Sequence, residues 1–352
     1  MYLRNAWYVA AWSSELADKP LARVILDKEV VLYRADDGAG STLEDRCPHR
    51  YLPLSKGTIE GSTLRCGYHG MAFDGAGTCV RIPSQAAIPS PARVRSYPTV
   101  ERWGWIWAWM GDEAKADDTL LPDFSMLTNA EFAVVGTTKH VRASYQLLVD
   151  NLMDLSHVGI VHQSTIGNSA MTENGRLTSR RTERGAKVLR LVPDVPPPPT
   201  YIRSGELSEG VNIDRWQSIE FIAPSSVLIH VGGAPAGTGA LDGNYEHGLN
   251  LWVLNAITRE TERSCHYFWA SARKHALGDK MADALFYSQT FEAFEEDARI
   301  LEAQQRVLDK RGDAWTLALK SDAGGIEARR VVSALVAQER SASAALEAAN
   351  PR

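Results

Sequence analysis

Cys47-Pro48-His49 and, after sixteen intervening residues, Cys66-Gly67-Tyr68-His69 stand among short apolar segments broken by turns. Each brings one thiol and one imidazole, as CxH in the first case and CxxH in the second. Two thiolates on one iron and two neutral imidazoles on the other make a [2Fe–2S] centre of raised potential. Pro48 and Gly67 suit tight loops whose backbone N–H groups point at the bridging sulfurs. Zinc accepts the same four ligands, but structural zinc sites favour CxxC and HxxxH pairs on a small unit. Here each loop supplies one ligand of each kind, which favours the iron–sulfur reading. Cys79 and Cys265 have no such partners and read as buried thiols.

The segments around these loops, AWYVAAW (6–12), ARVILDKEVVLYRA (22–35), GSTLRCGYHGMAFD (61–74) and the alternation Trp103, Trp105, Trp107, Trp109, predict an all-β domain. The tryptophans share one face of a strand and read as core. The acidic stretch GDEAKADDTLLP (111–122) marks a boundary. Beyond it lie a helical stretch at 145–157, the strands RWQSIEFIA (215–223), SVLIHVGG (226–233) and LNLWVLNAIT (249–258), and two closing helices near 280–310 and 325–348. GGAPAGTGALDG (232–243) reads as a surface or mouth loop.

The chain has 352 residues with 38 Lys+Arg against 43 Asp+Glu, long enough for two or three domains and too acidic for a nucleic-acid partner. Four cysteines and no long apolar run argue against a disulfide framework and a membrane span. The N-terminal MYLRNAWYVAAWSS lacks the pattern of a signal peptide, so a cytoplasmic protein is expected. Neither GxGxxG nor GxxxxGK[ST] occurs in the glycine-rich stretch, so a pyridine nucleotide is expected on another protein.

A second constellation follows the boundary. In Asn151-Leu-Met-Asp154-Leu-Ser-His157-Val-Gly159-Ile-Val-His162 two histidines stand five residues apart. An unbroken helix would hold them about 140° apart, so both can face one metal only if the helix ends or distorts between them, and Gly159 is the expected place. Two histidines and a carboxylate leave open positions on Fe(II) for O₂ chemistry. Glu295, Glu296 and Asp297 are the candidates for that carboxylate, and spacing alone does not choose among them.

From RNAWYVAAW through CPHR, CGYHG, LLVDNLMDLSHVGIVH and AFEED to DAGGIEARR, the chain resembles the Rieske non-haem iron oxygenases, most closely the oxygenase components of vanillate O-demethylase. It is also similar to the dicamba O-demethylase and aryl-sulfonate methyl-monooxygenase members. The resemblance implies an α+β chain: an all-β Rieske domain over 1–115, and over 116–352 a helix-grip-like catalytic domain of antiparallel sheet with packed helices. It implies Cys47, His49, Cys66 and His69 on the [2Fe–2S] cluster, and His157, His162 and Asp297 on a mononuclear Fe(II). It gives Asp154 a hydrogen bond to His157 and another to His69 of the partner subunit, and the subunits a head-to-tail ring, usually a trimer. Positions at or beside Leu152, His230 and Asn255 are implied to line the substrate pocket. His230 stands where the vanillate enzymes carry an acidic residue, and Asn255 where the dicamba enzyme carries histidine.

The activity implied is O-demethylation of a methoxy-aromatic acid such as vanillate to protocatechuate and formaldehyde, with O₂ and with electrons from NADH through a separate reductase. Hydroxylation of an aryl methyl group needs the same iron. A Rieske electron-transfer protein would need only the first cluster, about two irons per chain against about three. No Arg or Lys of the second domain stands out as the partner of the substrate's anionic group.

Overall fold

The computed structural model describes residues 2–167, 175–312 and 317–349, in two units. The first is Tyr2–Leu121 with Thr258–Thr261, and so keeps 116–121 with the N-terminal part; the second takes Pro122–Ile257 and the chain from Glu262 onward.

Short β-rich segments separated by turns give the first unit strands β1 (Trp7–Trp12), β2 (Leu21–Ile25), β3 (Lys28–Arg34), β4 (Gly40–Glu44), β5 (Thr58–Glu60), β6 (Thr63–Arg65), β7 (Ala72–Phe73), β8 (Cys79–Arg81), β9 (Ser96–Tyr97), β10 (Thr99–Arg102) and β11 (Trp105–Trp109). They pair as antiparallel sheets in the orders β1-β11-β10, β2-β3-β4-β9 and β5-β6-β7-β8. All five residues of β11 are buried, so both its faces are core, not only the tryptophan face. Trp7 meets Trp109 edge to face at 5.5 Å and Trp12 meets Trp105 at 5.3 Å, a favoured aromatic geometry. Trp103, at φ 58°, turns the chain with Gly104 instead of continuing the strand. A second apolar cluster joins Val31, Tyr33, Leu43, Leu54, Leu64 and Phe73 and holds Cys47, Cys66 and Cys79 among them.

β12 (Ala133–Val141), β13 (Arg176–Arg181), β14 (Gly185–Val195), β15 (Ile213–Ile222), β16 (Ser226–Pro235), β17 (Leu249–Thr261) and β18 (Ser264–Arg273) form one sheet in the order β12-β18-β17-β16-β15-β14-β13, which belongs to the second unit apart from Thr258–Thr261 at the end of β17. Gly232 to Pro235 belong to β16 rather than to a loop, which corrects the expectation for 232–243. A Cβ on Gly232 would lie 2.1 Å from the Trp216 ring, so glycine lets the indole pack flat on the strand. The helices are α1 (Tyr145–Met153), α2 (Val158–Val161), α3 (Pro199–Arg203), α4 (Lys280–Arg311) and α5 (Ala323–Ala349). Asp279 caps α4 by accepting from Met281 N and Ala282 N, and Gly312 at φ 74° ends it. α4 lies against β12 and β18, while α5 lies against α1 and β14. Among the described residues no helix is long and apolar enough to cross a membrane.

Candidate active site

The two cysteine loops are built alike. Cys47 N donates to Leu52 O and Tyr51 N to Cys47 O; Cys66 N donates to Met71 O and Gly70 N to Cys66 O. The fifth residue of each loop, Tyr51 at φ 58° and Gly70 at φ 73°, takes the left-handed conformation that closes it. A Cβ on Gly67 would meet Lys56 O at 2.6 Å, so that loop needs glycine. Both thiols are buried, whereas His49 and His69 are exposed with ring centroids 4.4 Å apart. Burial, with Cys66 beside it, pushes the Cys47 thiol up to about 11. Such a thiol becomes a thiolate when iron takes its proton's place. Two inward sulfurs and two outward imidazoles on matched loops fit a [2Fe–2S] cluster.

The second centre is assembled from three elements. α1 ends at Met153, Asp154 to Ser156 leave the helix, and α2 is a single turn flanked by His157 and His162. The break therefore comes before His157, and Gly159, expected as the distortion, is helical and buried. His162, at φ −104° and ψ 32°, turns out of the helix, which brings the two rings to 5.2 Å centroid separation. Gly167 N donates to His162 O at 2.8 Å, and a Cβ on Gly167 would meet Val158 O at 2.0 Å, so the returning loop requires glycine.

α4 resolves the three consecutive carboxylates by its own rotation, about 100° per residue. Glu295 pairs with Lys139 on the outer side. Glu296 Oε2 lies 2.7 Å from His162 Nδ1 and also accepts from Thr165 Oγ1, while Glu296 Oε1 accepts from Ser164 Oγ. Asp297 Oδ1 lies 3.5 Å from His157 Nε2 and 3.2 Å from His162 Nε2, and accepts from Asn151 Nδ2 at 3.0 Å. One donor atom from each of His157, His162 and Asp297 lies within 4.8 Å of the others. Two imidazoles and a carboxylate at that spacing fit one Fe(II) with open positions. Burial holds His157 below its ordinary value against the pull of Asp297. On His162 burial acts in the same direction, but Asp297 and Glu296 together outweigh it and raise the ring's value.

Asp154 lines the same cavity, but its carboxylate accepts from Ser156 N at 2.7 Å and Ser156 Oγ at 3.0 Å. Among the described residues both oxygens of the Asp154 carboxylate turn to Ser156, and the bond expected from that carboxylate to His157 is not formed.

The cavity has a volume of about 90 Å³. The histidines and Asp297 meet a mostly apolar wall: Leu152, Leu155, Val158, Ile166, Ile219, Ile229, Val231, Leu251, Val253, Phe286 and Phe294. Of the three positions expected at or beside the wall, Leu152 lines it and so do Ile229 and Val231 beside His230, while His230 itself and Asn255 do not. Strand alternation places Ile229 and Val231 inward and His230 on the opposite face, where it stacks on Trp252 at 4.8 Å and meets Asn250 Oδ1 at 2.9 Å. Asn255 shares the face of Leu251 and Val253 but is engaged by Tyr267 O–H at 2.7 Å and donates to Val227 O. Sequence reasoning missed Arg215 and Gln217 in the wall and the part played by Glu296. The signal available for the first two was period-two spacing with Ile219 along β15, which does not say which face is inward.

Residues 6–98 match the Rieske [2Fe-2S] domain family, and residues 141–338 match the vanillate O-demethylase oxygenase C-terminal domain family. The vanillate O-demethylase oxygenase subunit of Pseudomonas sp. strain HR199 is 38% identical over 97% of this chain and 97% of its own length. The chain belongs to the Rieske non-haem iron oxygenases. This oxygenase is also 34% identical to the toluene-4-sulfonate monooxygenase system iron-sulfur subunit of Comamonas testosteroni, over 98% of this chain and all (100%) of that one. A crystal structure of dicamba monooxygenase with non-haem iron and dicamba superposes with a TM-score of 0.82 at 34% identity, over 96% of this chain and 98% of the other. The oxygenase thus pairs a Rieske cluster domain with a mononuclear iron domain of the O-demethylase type.

Proposed function

We propose that this oxygenase is the terminal component of a monooxygenase system that removes the methyl group of a methoxy-aromatic acid, with vanillate the first candidate. The observation that carries the reading is the apolar cavity into which His157, His162 and Asp297 all face. Its wall suits one flat ring, and the vanillate relative extends over nearly the whole chain. Cys47, His49, Cys66 and His69 would hold the cluster, and His157, His162 and Asp297 the iron; together these groups supply single electrons and O₂ activation.

The chain's own residues do the positioning. Glu296 accepts the Nδ1 hydrogen of His162, and Nε2 faces Asp297 and the cavity. The branched and aromatic wall keeps water from the reacting carbon and holds the ring near it. One oxygen atom of O₂ enters the methoxy C–H bond. The other leaves as water with two electrons and two protons, and the resulting hemiacetal divides into phenol and formaldehyde. The electrons would come from NADH through a separate reductase, and a head-to-tail trimer would bring each Asp154 to the partner subunit's cluster.

A single turnover tests this. Pre-reduced protein mixed with O₂ and vanillate is expected to yield protocatechuate and formaldehyde in equal amounts. If the cluster reoxidises and neither forms, vanillate is not the substrate. The toluene-4-sulfonate relative then makes aryl-methyl hydroxylation the reading to test.

A further inference from the structure

We propose that Arg215 receives the anionic group of the substrate, so that this oxygenase selects aryl anions over their neutral isosteres; the assignment rests on reading the cavity as the substrate site. Arg215 projects from β15 into the cavity, is 1% exposed, and is the only Arg or Lys lining it among the described residues. Its Nη2 donates to Ile166 O at 2.7 Å and its guanidinium lies over the Tyr201 ring at 5.1 Å. These contacts orient the planar group, and a guanidinium has five N–H donors to offer in a fixed fork.

Two further features point to a ligand there. Gln217, the next inward residue of β15, is 3% exposed and its Oε1 has no hydrogen-bond partner. A half-turn of that amide presents its NH₂ to an anion held by Arg215. Arg190, facing Gln217 from β14, is 7% exposed and donates to Leu155 O. Burial first, and Arg215 second, press its value down, whereas Asp154 raises it. Asp297, the other cavity carboxylate, is held by Asn151 beside the histidines. Two buried cations thus stand on adjacent strands, and Arg215 reaches the cavity wall. In an apolar enclosure their potential is weakly screened and attracts an anion.

The test compares the iron-loaded wild type with Arg215→Gln and Arg215→Lys by calorimetry, without O₂. The probes are vanillate, 4-methoxybenzoate, toluene-4-sulfonate and the neutral 4-methoxybenzamide; formaldehyde release is measured separately with O₂. The wild type is expected to bind an anion at least about tenfold more tightly than the amide. Arg215→Gln should lose about tenfold to a hundredfold for the anion with little change for the amide, and Arg215→Lys should restore part of the loss. Preference for carboxylate or for sulfonate, with the same dependence on Arg215, identifies which anion is meant. Equal binding of acid and amide by the wild type, equal weakening of both by Arg215→Gln, or no binding of any probe overturns the assignment. Should Arg215→Gln not fold, the wild-type selectivity and Arg215→Lys decide the matter. Arg215-dependent binding without formaldehyde from either methoxy acid would instead refute the O-demethylase reading and leave the anion site standing.

Discussion

His162 Nδ1 lies 2.7 Å from Glu296 Oε2, while Nε2 of the same ring lies 3.2 Å from Asp297 Oδ1, so consecutive residues of α4 address the two nitrogens of one imidazole. A carboxylate oxygen accepts, so Nδ1 carries a hydrogen, and with iron in place of a proton Nε2 would be the ligand atom. Groups behind a metal-bound imidazole typically contribute tenfold to a hundredfold in affinity. Glu296→Gln, whose amide accepts less strongly, is expected to weaken Fe(II) binding by about tenfold, and Glu296→Ala by up to about a hundredfold. Competition titration with a chelator reads this directly, and the visible spectrum of the Rieske cluster should not change. Unaltered iron affinity in Glu296→Ala would show that the contact is not what aligns His162.

Asp154 sits between α1 and the helical turn that His157 begins, and its carboxylate is tied to Ser156 rather than to either histidine of the cavity. If it links two redox centres in the assembled protein, its loss should spare both metals and stop the flow between them. Asp154→Asn is expected to retain about three irons per chain, to keep the cluster spectrum, and to lose turnover. Its reduced cluster should stay reduced when O₂ and substrate are added. Normal reoxidation coupled to product would remove Asp154 from the electron path.

Both cysteine loops were legible because their ligands are local: three or four residues fix each Cys–His pair, and Gly67 marks a close approach. The His157–His162 pair was legible for the same reason, but the place where the chain breaks was not. Gly159 tolerates a helical turn as well as a kink, and here the Asp154–Ser156 Asx turn does the breaking instead. The choice among Glu295, Glu296 and Asp297 depends on how α4 is rotated against β12 and α2, a long-range fact that no local pattern holds. The pocket residues suffered most. A strand sequence gives two faces and no label for which is inward, so β16 was marked at His230 while its neighbours Ile229 and Val231 form the wall, and Arg215 went unseen.

Arg273 on β18 is 1% exposed, and its Nη2 donates to Asp283 Oδ1 of α4 at 2.7 Å, with the Phe286 ring 5.2 Å from its guanidinium. The Arg273 hydrogen bond holds the Asp283 carboxyl below its ordinary 3.8. A depressed carboxylate value means that the folded state favours the charged form. The stabilisation is then complete above the unfolded value and is lost as pH falls through the lower folded value. Asp283→Asn leaves a buried guanidinium without its anion and should cost about 1–3 kcal/mol at pH 7, below the full figure for a wholly buried pair because Asp283 is partly exposed. Chemical denaturation between about pH 8 and pH 5 should show a constant difference from wild type, since both states keep the carboxylate charged there. The difference should narrow only as the pH falls below about 4. A difference that already shrinks near pH 6 would assign the effect to another group.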